Sequence, residues 1–121
     1  MISDNPYGFL ADRIEGIAVQ VREIEAQAYK ALYEDKDDLA YREFMRRKAM
    51  TLADLAEDVA VHDLPVTDSV KKRIKRFSFS AAQSLEIGSV FFMSALLYPE
   101  DHEVGEPNDL DNFVAELKSL S

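Results

Sequence analysis

The 121-residue chain contains neither cysteine nor tryptophan. Without thiols it has no disulfide framework, no thiolate nucleophile and no cysteine-based metal site. Glycine and proline are scarce, at four each, and they fall between long stretches of helical periodicity. That leaves no glycine-rich phosphate loop. No apolar–polar alternation reads as a strand. The one long hydrophobic run, SLEIGSVFFMSALLY at Ser84–Tyr98, is 15 residues long and contains Glu86. A membrane span needs about 20, so the run reads as a helix of a water-soluble protein and no membrane partner is expected. Positive charge is also short, with 14 Lys and Arg against 23 Asp and Glu and a net charge of −9. That balance disfavours a broad nucleic-acid surface, because long-range repulsion slows approach to phosphate.

What remains is an ordinary globular composition, 47% hydrophobic and 31% charged. It predicts a single domain, residues 1–121, large enough to bury a core. The N-terminal stretch MISDNPYGF lacks the basic flank and apolar run of a secretory signal, so a cytoplasmic location is expected. Apolar residues recur at Leu10, Ile14, Ile17, Val21, Ile24 and Ala28, a heptad seam. Met45, Leu52, Leu55 and Val59 continue the pattern in a second helix stopped by Leu64-Pro65. Thr67 or Asp68 caps a third helix of about thirty residues. Leu110, Phe113, Leu117 and Leu120 mark a short fourth. The expected fold is all-α, an antiparallel up-down-up-down four-helix bundle with helices near residues 7–33, 39–62, 68–98 and 108–120.

The third helix carries two apolar lines. Ile74, Phe77, Ala81, Leu85, Gly88, Phe92 and Ala95 share the face expected to meet the bundle core. Nearly opposite stand Phe79, Glu86, Val90, Met93 and Leu97. A helix in a four-helix bundle offers its neighbours one face, so this second line predicts an interface with another subunit. An unpaired carboxylate there is costly, so Glu86 is expected to meet Arg46, Arg47 or an arginine of the neighbour.

Nothing in the chain assembles a catalytic constellation. Asp58 and His62 stand at i, i+4, but no second ligand pair accompanies them. Asp54, Glu57 and Asp58 form half of the carboxylate cluster that all-α nucleotide pyrophosphohydrolases use for magnesium. The first helix offers only Glu23 and Glu25, two apart and so on different faces. The acidic loop at 99–107 fails the calcium-loop template, since Gly105 takes the fifth place and no glutamate the twelfth. No catalytic, cofactor-binding or metal-ligating residue is therefore expected, and no cofactor. The basic residues Arg46, Arg47, Lys71, Lys72, Arg73, Lys75 and Arg76 form a candidate nucleic-acid patch. Neutralisation of the run 71–76 by Asp54, Glu57 and Asp58 across the Pro65 turn is the simpler expectation.

Residues 46–58, RRKAMTLADLAED, resemble the R-R-x-A-x-[ST]-[ILV]-x-x-N-[IL]-A-E-G motif of the four-helix-bundle proteins encoded in ribosomal-RNA intervening sequences. Accessory proteins of diversity-generating retroelements belong to the same family. Arg76-Phe77, Ala81 and Ser84-Leu85 are similar to that family's R-F-x-x-x-A-x-G-S-L stretch, and the closing ELKSL to its last helix. Asp54 stands for the motif's asparagine, Asp58 for its glycine and Gln83 for a glycine. The resemblance implies a bundle that forms ring-like homo-oligomers and acts through partners instead of catalysis. The leading expectation is thus a non-enzymatic module that binds itself and a further protein of unknown identity. The alternatives are an RNA- or DNA-associated accessory protein and, more weakly, a metal-dependent nucleotide phosphohydrolase-like bundle.

Overall fold

The computed structural model describes residues 5–121; Met1–Asp4, which open the N-terminal stretch read above, lie outside them. The described residues form six α-helices and no strand: α1 Pro6–Tyr29, α2 Asp38–Ala53, α3 Leu55–Asp58, α4 Asp68–Ile87, α5 Val90–Ala95 and α6 Asp109–Ser119. None is long and apolar enough to cross a membrane. The long helices start where side-chain oxygens can take up orphan N–H groups. Asn5 accepts from the N–H of Tyr7 and Gly8 ahead of α1, and Thr67 from that of Val70 in α4. Asn108 and Asp111 form a reciprocal capping box on α6.

α2 is central, packing against α1 on one side and α4 on another, with α5 alongside; α6 lies against α1. The main core gathers Leu10, Ile14, Val21, Leu52, Leu55, Ile74, Phe113 and Leu117. A second, smaller core joins Ala28, Met45, Ala49 and Met93. Leu120, placed inward by periodicity, is exposed, because α6 has ended one residue earlier.

Three expected helices are interrupted. The first gives way to a π-helical turn at Lys30–Glu34. The second breaks at Asp54, where the Ser78 hydroxyl enters the helical ladder. It accepts from the Ala56 N–H at 2.9 Å and donates to the Leu52 carbonyl at 3.1 Å, replacing the direct bond between those two groups. Beyond α3 the chain turns through a left-handed Ala60 (φ 52) into a short 3-10 turn, Val61–Asp63.

The third interruption revises the reading of Ser84–Tyr98. Gly88 adopts a left-handed conformation (φ 73), and its N–H caps the carbonyls of Ser84 and Leu85. That is a helix stop suited to glycine. Ser89 then caps a new helix through the N–H of Phe92. The run is therefore two helices, and the break shifts the phase of everything after it. Met93 and Leu97, expected to face another subunit, are 5% and 7% exposed in the subunit's own core. Phe92 and Ala95, expected in the core, are exposed. Leu97 is itself left-handed (φ 77), held by its buried side chain and by its carbonyl, which accepts from the Asp109 N–H at 3.0 Å.

Candidate functional site

The inner stripe of α1 holds Leu10, Ile14 and Val21 but departs from the heptad seam between and beyond them. Ala11, Ala18 and Glu25 are buried, while Ile17 and Ile24 stand half-buried at the flanks. Glu25 thereby enters the interior at 5% exposure and meets Lys48 of α2, which is 0% exposed. Lys48 Nζ lies 3.0 Å from Glu25 Oε2 and donates to the Ser94 carbonyl at 3.0 Å. It also sits 4.9 Å from the centre of the Tyr98 ring, a cation–π contact. The Tyr98 hydroxyl lies 2.8 Å from each Glu25 carboxylate oxygen.

Burial pushes the Lys48 ammonium below its ordinary value, with the Glu25 charge and hydrogen bond acting against that. Burial also pushes the Tyr98 phenol well up, followed by its hydrogen bond to Glu25; Asn108 works the other way. Every polar atom of the cluster has a partner. The cluster ties three elements together. Its bonds to Ser94, in the last turn of α5, and to Tyr98 beyond it hold the end of α5 against α1 and α2.

The outward-facing side chains are large and apolar. Phe79 is 63% exposed, Ile87 64% and Phe91 74%, and Phe92 lies beside Phe91 with ring centroids 5.9 Å apart. Of the five residues expected at a subunit interface, Phe79 and Glu86 are exposed and Val90 is half-buried. Met93 and Leu97 have turned inward. Glu86 makes no ion pair with Arg46 or Arg47. Arg46 is exposed, and Arg47 pairs with Glu43 at 3.8 Å and covers Phe44.

The basic run is split. Arg73 pairs with Glu116 and lies over Phe113. Lys71 reaches the His62 carbonyl at 3.5 Å. Lys72, Lys75 and Arg76 are exposed on α4 with no ion-pair partner among the described residues. The expected neutralisation by Asp54, Glu57 and Asp58 is not formed. Asp54 and Asp58 line a different surface, a groove of about 510 Å³ between α1 and α2 shared with Glu23, Gln27 and Arg47.

Among the described residues no group of three or more histidine and carboxylate side chains converges to hold a metal ion. The acidic loop is tied to itself, Glu106 accepting from the Glu103 N–H at 2.9 Å and its carbonyl meeting His102 at 2.9 Å. A cavity of about 290 Å³ opens between α2, α4 and α6, floored by Leu52, Phe77, Leu96 and Leu97 and rimmed by Arg76 and Asn112. Within that rim, burial raises the Asp109 carboxyl above its ordinary value and nearby Asp101 adds to this, opposed by His102 and Arg73.

No family model matches the chain, and no match to it exists among the curated proteins or the solved structures.

Proposed function

We propose that the protein is a non-catalytic helical-bundle module that acts by binding, first of all to itself. The observation carrying this reading is the exposure of Phe79, Ile87, Phe91 and Phe92 on two consecutive helices either side of the Gly88 break. Solvated monomers seldom leave large side chains gathered in this way, and burying one such group contributes roughly 1.5–3 kcal/mol. α2 packs against α1 and α4, α6 packs against α1, and Phe77 of α4 meets Phe113 of α6 at 5.7 Å. These contacts support an up-down-up-down bundle, with Phe79, Ile87, Phe91 and Phe92 outside them. The likeness of residues 46–58 to the intervening-sequence proteins supports the same reading, since that family forms homo-oligomeric rings.

The test is mass by light scattering across a concentration series, for the wild type and for Phe79→Glu and Phe91→Glu. Both sites are exposed, so the variants keep their helical circular dichroism. The wild type is expected above monomer mass and at least one variant below the wild type. A wild type that stays monomeric at high micromolar concentration defeats the proposal.

The second reading, association with nucleic acid, has one observation in its favour: Lys72, Lys75 and Arg76 are exposed on α4 with no ion-pair partner among the described residues. Three such contacts give a slope of log affinity on log salt of about −3 on duplex DNA. Absence of binding at low salt removes this reading.

A further inference from the structure

We infer that α4 pairs with α4 of a second copy, antiparallel, about a twofold axis level with Ala81, so that Arg76 of each copy meets Glu86 of the other. The inference rests on the self-association reading and specifies its interface.

The outer face of α4 follows from helical geometry. At 100° per residue, Lys72, Arg76, Phe79, Gln83, Glu86 and Ile87 fall on one arc, and all six are exposed. Val70, Ile74, Ala81 and Ser84 occupy the opposite arc and are buried. The outer arc is polar along its length. Cations occupy its first half, Phe79 and Gln83 its middle, and a carboxylate its last turn. Neither Arg76 nor Glu86 has an ion-pair partner among the described residues.

This polarity selects one self-pairing. A parallel pair sets Arg76 against Arg76 and Glu86 against Glu86, four like charges in two contacts. An antiparallel pair centred on residue 81 puts Arg76 and Glu86 each five residues from the axis, about 7.5 Å along the helix. Each arginine then faces a carboxylate of the other copy, and the symmetry makes two such contacts. The same register sets Phe79 opposite Gln83, both two residues from the axis. The break at Gly88 ends the arc one residue after Ile87, so this pairing is confined to α4 and leaves Phe91 and Phe92 of α5 outside it. That confinement bounds the contact to a single helix pair, at the small end of specific interfaces.

The experiment is charge reversal read by light scattering and sedimentation on Glu86→Arg, Arg76→Glu and the double variant. Each single variant places like charges at both symmetric contacts, and the dimer Kd is expected to rise about tenfold. The double variant restores both pairs and the wild-type Kd. An equimolar mixture of the two single variants restores them as well, because a Glu86→Arg copy and an Arg76→Glu copy are complementary at both contacts. If the wild type associates and the single reversals leave its Kd unchanged, the α4 pairing is wrong and self-association uses another surface. If the single variants weaken but neither the double variant nor the mixture recovers, the antiparallel register is wrong. A monomeric wild type overturns the pairing together with the reading on which it rests.

Discussion

Lys48 Nζ is held 3.0 Å from Glu25 Oε2 with neither residue more than 5% exposed. Two ionisable groups have been taken out of water between α1 and α2, and each completes the other's hydrogen bonding. Such pairs contribute little net stability, but removing one partner strands the other. Lys48→Met is therefore expected to cost about 3–5 kcal/mol in urea denaturation. The double variant Glu25→Leu, Lys48→Met is expected to cost less than the sum of its single changes. Additive losses count against a coupled pair.

The Ser78 hydroxyl bridges Ala56 and Leu52 across the junction of α2 and α3. Ser78→Ala removes both bonds and leaves two backbone groups to re-pair directly or turn to water. A loss of about 1–3 kcal/mol is expected. If the kink is caused by the inserted hydroxyl, backbone chemical shifts of residues 52–58 move toward those of continuous α-helix. Unchanged shifts assign the kink to another cause.

Gly88 and Ala60 occupy the same left-handed region with opposite residue choices. A Cβ on Gly88 meets nothing within 4 Å, so Gly88→Ala is expected to cost about 1 kcal/mol through backbone strain alone. Ala60→Gly relieves the same strain and is expected to stabilise by about 0.5–1 kcal/mol. Thermal unfolding of both variants measures this, and shifts of the same sign contradict it.

The legible parts of this fold are those set by local chemistry. The Thr67 cap, the start of α6 near Pro107–Asn108 and the inward faces of α2 and α6 follow from residues a few positions apart, whereas the second helix ends well before the expected stop at Leu64-Pro65. The Gly88-Ser89 break carried a signal of that kind, a left-handed stop followed by a serine cap. Gly88 also fits a close helix approach, and the apolar run on both sides of it reads as one helix. The α4–α5 phase shift follows from that single residue. The Glu25–Lys48–Tyr98 cluster had no local signal. Hydrophobic ranking places Ile24 inward ahead of Glu25, and Lys48 sits within an Arg-Arg-Lys run that resembles a surface patch. Only packing brings together residues 23 and 50 positions apart, and the burial of Ala18 ahead of Ile17 and Val19 is a tertiary choice.

Tyr98 makes the cluster sensitive to alkali. Burial and the hydrogen bond to Glu25 raise its folded value above that of an unfolded tyrosine, which ionises near pH 10. Between the two values the unfolded chain has lost the phenolic proton and the folded chain retains it, so the unfolded state binds fewer protons. Stability then falls as pH rises. The contribution of Tyr98 is fully present below about pH 10 and is lost as pH climbs toward the folded value. Lys48 has the opposite sign. Its folded value is lowered, so its contribution improves as pH approaches the unfolded lysine value near 10.4. Tyr29 is also raised, by burial and then by Glu25, and adds to the alkaline loss. Tyr98→Phe removes one titrating phenol and its bond to Glu25. Urea denaturation at pH 7 and at pH 11 is expected to show a less stable variant at the lower pH and a narrower gap at the higher one. A gap that stays constant or widens between the two pH values would mean that Tyr98 does not hold its proton against the unfolded state.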